Sequence, residues 1–205
     1  MKRAYSIQNI RAYKAKTIPF DGAWADAIGT PELTGSWIIW GNSSNGKTRF
    51  ALQLAKYICK FCRVAYDSLE EGLSLSMQQA IAEVGMSDCK RQFVLLDKEP
   101  VADLMVRLKK QRSPKVIIID SLQYTGMNYN DYKTLRDTFR NKLFVFVSHA
   151  SSREPKGDVA VSVRYDAFVK IYVEGYKAFT QSRYGGGREY VIWQYGANRY
   201  WSNTL

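Results

Sequence analysis

The sequence predicts an α/β fold with a mostly parallel central sheet, helices on both faces and a C-terminal antiparallel β-meander. Three observations lead there. Five short runs rich in Val, Ile and aromatics, at residues 37–40, 64–68, 93–97, 116–120 and 144–148, read as buried strands. Segments of helical periodicity separate them, and strands joined by connections of that length lie parallel, with right-handed crossovers that cover the sheet on both sides. Beyond His149 the rhythm changes: residues 168–173, 177–183 and 189–195 read as strands joined by the short turns Glu174-Gly175 and Tyr184-Gly185-Gly186-Gly187, and short turns require antiparallel neighbours.

Taken in order, residues 1–35 are the least regular and are expected to form an N-terminal arm or cap ahead of one domain at 36–205. Ala51, Leu54, Ala55 and Ile58 mark the first crossover helix, Val101, Leu104, Met105 and Leu108 a later one, and Tyr132, Leu135 and Phe139 a third. With 205 residues, 46% of them hydrophobic, the chain has enough apolar surface for a core of its own. No run is long enough to span a bilayer, and no apolar stretch follows Met1-Lys2-Arg3 before Trp37. No membrane partner is therefore expected, and a cytoplasmic location is.

Cys59, Cys62 and Cys89 are too few for a disulfide framework, and with His149 as the only histidine they favour semi-buried thiols at a helix end over a zinc site. The net charge is +11, with nine basic and three acidic side chains in residues 1–60, twelve and eleven in 61–140, and nine and five in 141–205. Basic ends around a neutral middle suggest a polyanionic partner, against the plainer reading of a solubilising surface.

The run at 37–40 leads into Gly41-Asn42-Ser43-Ser44-Asn45-Gly46-Lys47-Thr48, which fits the phosphate-loop pattern GxxxxGKT without a mismatch. The glycines let backbone amides turn inward around phosphates, and the following helix adds its positive end. Lys47 is placed to reach the β- and γ-phosphates of ATP and the Thr48 hydroxyl to bind Mg2+, with Arg49 next in line at the nucleotide. Val116-Ile117-Ile118-Ile119-Asp120 ends in an acid where a second magnesium-side carboxylate belongs, although Asp120 would also serve as a helix cap.

Tyr66-Asp67-Ser68-Leu69-Glu70 and Asp120-Ser121-Leu122-Gln123-Tyr124, in this order after the phosphate loop, resemble the RecA-like ATPase core and within it the DnaB-type replicative helicases and their RadA and KaiC relatives. The resemblance spans about residues 30–200. It implies that Glu70 polarises the attacking water, with the adjacent Glu71 as the alternative, and that either also serves a helix starting near Gly72. It implies that His149, ending the strand Val145-Phe146-Val147-Ser148, senses the γ-phosphate where many relatives carry Gln. A structural histidine is the plainer alternative. The loop 150–158, with Arg153 and Lys156, matches the segment that lines the channel of such rings and contacts single-stranded nucleic acid, DNA rather than RNA. Residues 125–133 offer a second contact through Tyr129, Tyr132 and Lys133, with Tyr132 equally well placed for the core.

Phe179-Thr180-Gln181-Ser182-Arg183-Tyr184-Gly185 resembles the strand that presents an arginine finger to a neighbouring subunit, making Arg183 the finger, Arg188 its competitor, and a homo-oligomer such as a hexameric ring the functional unit. Gln181 stands where the family has a basic residue. The terminal aromatics Tyr190, Trp193, Tyr195, Tyr200 and Trp201 favour packing over base stacking. The resemblance thus implies an ATP-hydrolysing motor on single-stranded DNA, helicase-like or a replication or recombination accessory of a phage or mobile element. Residues 1–35 are too short for the ring-organising domain of a full helicase. The alternative is a nucleotide-dependent oligomerising switch of KaiC type with slow, DNA-independent turnover.

Overall fold

The computed structural model describes residues 4–202; residues 1–3 of the expected arm and 203–205 of the expected domain lie outside the described residues. Gly35–Gly41 forms β1 at the centre of the sheet. It is flanked by two parallel strands, β5 (Leu143–Ser151) and β7 (Val169–Glu174). With β2 (Val64–Ser68), β3 (Phe93–Asp97), β4 (Val116–Asp120), β8 (Lys177–Ser182) and β9 (Tyr190–Val191), the order across the sheet is β3-β2-β4-β5-β1-β7-β8-β9. The strands through β7 run parallel, and β8 and β9 complete the expected antiparallel end. A two-residue strand, β6 (Glu154–Pro155), folds back on the end of β5.

The strands are covered on both faces, which is why they are apolar without alternation. Trp37, Ile39, Tyr66, Ile118, Val145 and Val147 face one core with α3 (Lys47–Ile58) and α4 (Leu75–Val84). Ile38, Trp40, Ile117, Ile119, Phe144 and Phe146 face the other with α5 (Val101–Lys109), α6 (Tyr129–Thr138) and α7 (Asp158–Asp166). The short α1 (Ile7–Ala12) buries none of its residues, whereas the N-terminal segment after it belongs to the first core. There Ile18, Phe20 and, on α2 (Gly22–Ile28), Trp24, Ala27 and Ile28 are buried. Trp24 stacks on Tyr190 at 4.2 Å, and Tyr57 Oη donates to Asp21 Oδ1 at 2.6 Å.

The structure corrects three expectations. The strand expected at 189–195 is limited to β9, after which α8 (Gln194–Ser202) begins. Tyr190-Val191-Ile192-Trp193 reads as a strand, but Ala197 and Trp201 recur four apart, and Gly196 lets the helix close on Trp193, whose ring a Cβ there would meet at 2.2 Å. The helix expected near Gly72 starts at Leu75, because Ser74 caps it by accepting from the Met77 N–H at 3.1 Å while Gly72 (φ +62°) stays in the turn. α7 has no counterpart in the sequence reading, since its buried face is only Ala160 and Val163.

Asp67 on β2 is 1% exposed and accepts one hydrogen bond, from the Glu99 N–H at 3.1 Å. Burial pushes its carboxyl up to about 7. A folded-state value above the unfolded one means that the unfolded chain releases this proton first, so stability falls as pH rises from about 4 through 7. Asp67→Asn keeps the acceptor without the charge. It is expected to be more stable than wild type at pH 8 by roughly 1–3 kcal/mol, the difference shrinking towards pH 4.5, in thermal or urea unfolding across that range. Parallel stability curves for the two proteins would remove Asp67 from the account.

Candidate nucleotide site

The site forms at the carboxyl-terminal edge of the parallel strands, where β1 ends in the loop 41–48. Gly41 has no room for a side chain, because a Cβ would stand 2.1 Å from the Val173 carbonyl oxygen of β7. The loop then turns through Ser44 (φ 61°) and Gly46 (φ 96°), backbone values that favour glycine at the second position. α3 starts at Lys47 with no side-chain cap, so its first-turn amides stay available to an anion. Asn45 fastens the loop: its Nδ2 donates to the Ser43 carbonyl at 3.0 Å and its Oδ1 accepts from the Gly175 N–H at 2.7 Å. The β7–β8 turn therefore braces the phosphate cradle.

Lys47 Nζ donates to the Asn42 carbonyl at 2.9 Å. Burial holds this ammonium below the usual lysine range, with Asp120 and Glu70 acting against the shift. Thr48 Oγ1 stands 3.4 Å from Asp120 Oδ2, and the same carboxylate oxygen accepts from the hydroxyl of Tyr66, which is completely buried. Asp120 is 7% exposed; burial pushes it up to about 6, against the Tyr66 hydrogen bond and the Lys47 charge. Burial also raises Tyr66 well above the ordinary tyrosine value, so it remains a donor. A hydroxyl and a carboxylate converging beside a phosphate cradle are hard oxygen donors of the kind Mg2+ takes.

Glu70 and Glu71 point to different places. The Leu69 and Glu70 amides both donate to the Asp120 carbonyl, at 2.7 and 3.2 Å, which fixes the backbone ahead of the Glu70 side chain. Glu70 Oε2 lies 2.9 Å from His149 Nε2 and accepts from Ser121 Oγ at 3.3 Å. Glu71 Oε2 instead accepts from the hydroxyls of Ser74 and Ser76 at the start of α4. The carboxylate facing the cradle is Glu70.

His149 lies beside Gly41 in the β1–β5 register. Gln123, on the turn that follows β4, connects it to what comes next. Its Oε1 accepts from the His149 N–H at 3.2 Å, and its Nε2 donates to Ser148 Oγ at 2.9 Å and to the Lys156 carbonyl at 2.8 Å. Lys156 N–H donates to the His149 carbonyl at 2.9 Å, and Trp40 Nε1 to the Arg153 carbonyl at 2.9 Å. The loop 150–158 is thus a braced hairpin rather than a free segment. Gln123 and Tyr66 carry functions that sequence reasoning did not assign. The only signal for them was their position inside the two short motifs after β2 and β4.

A cleft of about 620 Å3 brings together Lys47, Thr48, Glu70, Asp120, His149 and Lys156, with Ser43, Ser44, Gly46 and Arg49 along its wall. The Arg49 guanidinium is held 3.2 Å from Glu83 and lies 5.7 Å from the centre of the Trp193 ring. Other expected residues lie elsewhere. Arg183 follows β8, which runs back to the start of β7, and its guanidinium sits 4.6 Å over the Phe168 ring at the opposite edge of the sheet. Arg188 is 3.4 Å from Asp26. Arg153 and Lys133 are exposed, on the hairpin and on α6. Tyr132 is 0% exposed and donates to Ser36 Oγ at 3.1 Å, so it belongs to the core and not to a stacking surface.

One strand, β5, is inserted between the strand that leads into the phosphate loop and the strand that ends in Asp120. With the loop, the acid and the polar end of β5 on one edge, this architecture is the RecA-like ATPase core, the fold shared with DnaB-type ATPase domains. No protein-family model and no curated protein sequence matches the chain. Among solved structures it is similar to the flagellar accessory protein FlaH from Methanocaldococcus jannaschii, at 17% identity and a TM-score of 0.59, over 86% of this chain and 94% of that one. It is also similar to the ATPase domain of a DnaB-like helicase, at 14% identity and a TM-score of 0.52, over 76% and 80%. Both likenesses are of fold. Among the described residues no helix is long and apolar enough to cross a membrane.

Proposed function

We propose that the chain binds and hydrolyses ATP and uses the reaction to act on single-stranded DNA. The observation that carries this reading is the chain of contacts from Glu70 through His149 and Gln123 to the Lys156 hairpin, which joins a hydrolytic carboxylate to a cationic loop. In this reading Lys47 and the loop amides hold the β- and γ-phosphates. Thr48 and Asp120 would hold Mg2+, which when bound supplies neutralising charge on the phosphate oxygens. Glu70 orients the attacking water and accepts its proton. His149, hydrogen-bonded to Glu70, faces the γ-phosphate and transmits its loss to the hairpin, where Arg153 and Lys156 contact the nucleic-acid backbone, with Lys133 as a further contact.

Arg183 lies far from its own cleft and acts in this reading across a subunit boundary, with Arg188 as the alternative, in a cytoplasmic homo-oligomer. One observation favours a second reading, a nucleotide-dependent oligomerising switch. The chain is covered more fully by FlaH, a flagellar accessory protein, than by the helicase ATPase domain.

ATP hydrolysis measured alone and with single-stranded DNA, duplex DNA and RNA separates the two. The motor reading expects stimulation of about tenfold or more by single-stranded DNA, weakened by Arg153→Ala with Lys156→Ala. Slow turnover indifferent to every polymer would establish the switch.

A further inference from the structure

The edge of the sheet opposite the phosphate loop carries a charge that the nucleotide chemistry does not use. Three neighbouring parallel strands begin there, and each is preceded by a cation: Arg63 before β2, Lys115 before β4 and Lys142 before β5. Their first residues are in register, Val64 with Val116 and Val116 with Leu143, so the three cations leave backbone positions about 4.8 Å apart. Lys142 is turned inward, where its Nζ donates to Ser113 Oγ and the Pro114 carbonyl at 2.8 Å. Arg63 donates to the Arg112 carbonyl at 2.8 Å. These bonds brace the connection between α5 and β4, which runs Lys109-Lys110-Gln111-Arg112-Ser113-Pro114-Lys115 and contains no acid.

The same edge continues to β3, whose first residue, Phe93, is in register with Val64 and follows Lys90-Arg91-Gln92. Here the end of α3 and the segment before β3 wall a cleft of about 600 Å3 lined by Lys60, Lys90 and Arg91. Its one acid, Asp88, is engaged by Lys56 at 2.8 Å. Among the described residues, Lys60, Arg63, Lys90, Arg91, Arg112 and Lys115 form no ion pair with a carboxylate. Partial burial and then the charge of Lys16 hold Lys115 below the usual lysine range, as expected of uncompensated positive charge.

We propose that this edge is a second nucleic-acid surface, on which Lys60, Arg63, Lys90, Arg91, Arg112 and Lys115 meet the phosphodiester backbone. A braced row of cations leading into a cationic cleft presents several contacts at once to a linear polyanion, and each neutralised phosphate releases counterions. The exposed Phe61, two residues before Arg63, adds a ring on which a base stacks. Five strand residues, about 17 Å, separate this edge from the phosphate loop, so a nucleic acid held here leaves the nucleotide cleft open. The proposal shares with the proposed function only the premise of a nucleic-acid partner.

The test is binding of a fluorescent oligonucleotide, single-stranded and duplex, over a series of salt concentrations, to wild type and to Arg63→Glu with Arg91→Glu and Lys115→Glu. The triple variant is expected to bind at least tenfold more weakly, with a salt slope of log K lowered by roughly two to three, and to hydrolyse ATP as wild type does when no nucleic acid is present. The same three positions changed to Gln, with unfolding followed by circular dichroism, are expected to lose a similar slope without losing the fold. Wild-type affinity and slope in the triple variant would overturn the proposal, as would a wild type that binds anionic vesicles and no oligonucleotide. Failure of the motor reading looks different: oligonucleotide binding sensitive to the triple variant, but hydrolysis indifferent to DNA.

Discussion

Glu70→Gln is expected to lower the rate of ATP hydrolysis at least about 100-fold while leaving nucleotide affinity within a few-fold, and Glu71→Gln to leave turnover near wild type. The two side chains are adjacent in sequence and carry the same charge, so the difference between them is purely one of direction. Glu70 is held by Ser121 and His149 at the mouth of the phosphate loop, on a backbone fixed by the Asp120 carbonyl. Glutamine preserves the shape and most of these hydrogen bonds but cannot take a proton from water, so the loss falls on the chemical step. Glu71 is committed to the hydroxyls of Ser74 and Ser76, and its substitution loosens the start of α4 at a cost of about 1 kcal/mol in stability. Single-turnover hydrolysis beside equilibrium binding of a fluorescent nucleotide measures both quantities. Slow chemistry in Glu71→Gln with normal chemistry in Glu70→Gln would reverse the assignment.

This pair shows where the sequence stops being legible. The phosphate loop was readable because its demands are local: a glycine where Val173 leaves no room, another where φ is positive, and a helix starting at once. Strands β2, β3 and β4 were readable to the residue because burial on both faces makes them continuous apolar runs bounded by polar chain. The choice between Glu70 and Glu71 depends on His149, 79 positions away, and the Tyr66 contact with Asp120 spans 54 positions. No local pattern records such distances. α7 was hidden because two buried residues make no periodicity, and α8 because the residues before it have strand-like composition. The core position of Trp24 was invisible for a related reason: its partners, Tyr57 and Tyr190, come from a helix and a strand far along the chain.

Lys47→Ala is expected to reduce hydrolysis at least about 1000-fold and, unlike Glu70→Gln, to weaken nucleotide binding by tenfold or more. The amine is the one cation that the cleft aims at the phosphate position from within the loop, and it is held by the Asn42 carbonyl in a partly desolvated setting between Asp120 and Glu70. In such surroundings the interaction with a triphosphate is strong, and it grows as charge develops on the transferring group. Removing it also leaves Asp120 and Glu70 facing each other and the phosphates with less compensation, so the loss exceeds that of one hydrogen bond. Lys47→Arg is not expected to rescue, because a planar guanidinium cannot follow the path of a compact amine into a loop closed by Asn45 and Gly175. Nucleotide titration and steady-state hydrolysis on the two variants decide this. If Lys47→Ala binds ATP as wild type does, the loop amides and α3 alone hold the phosphates, and the lysine acts only on the transition state.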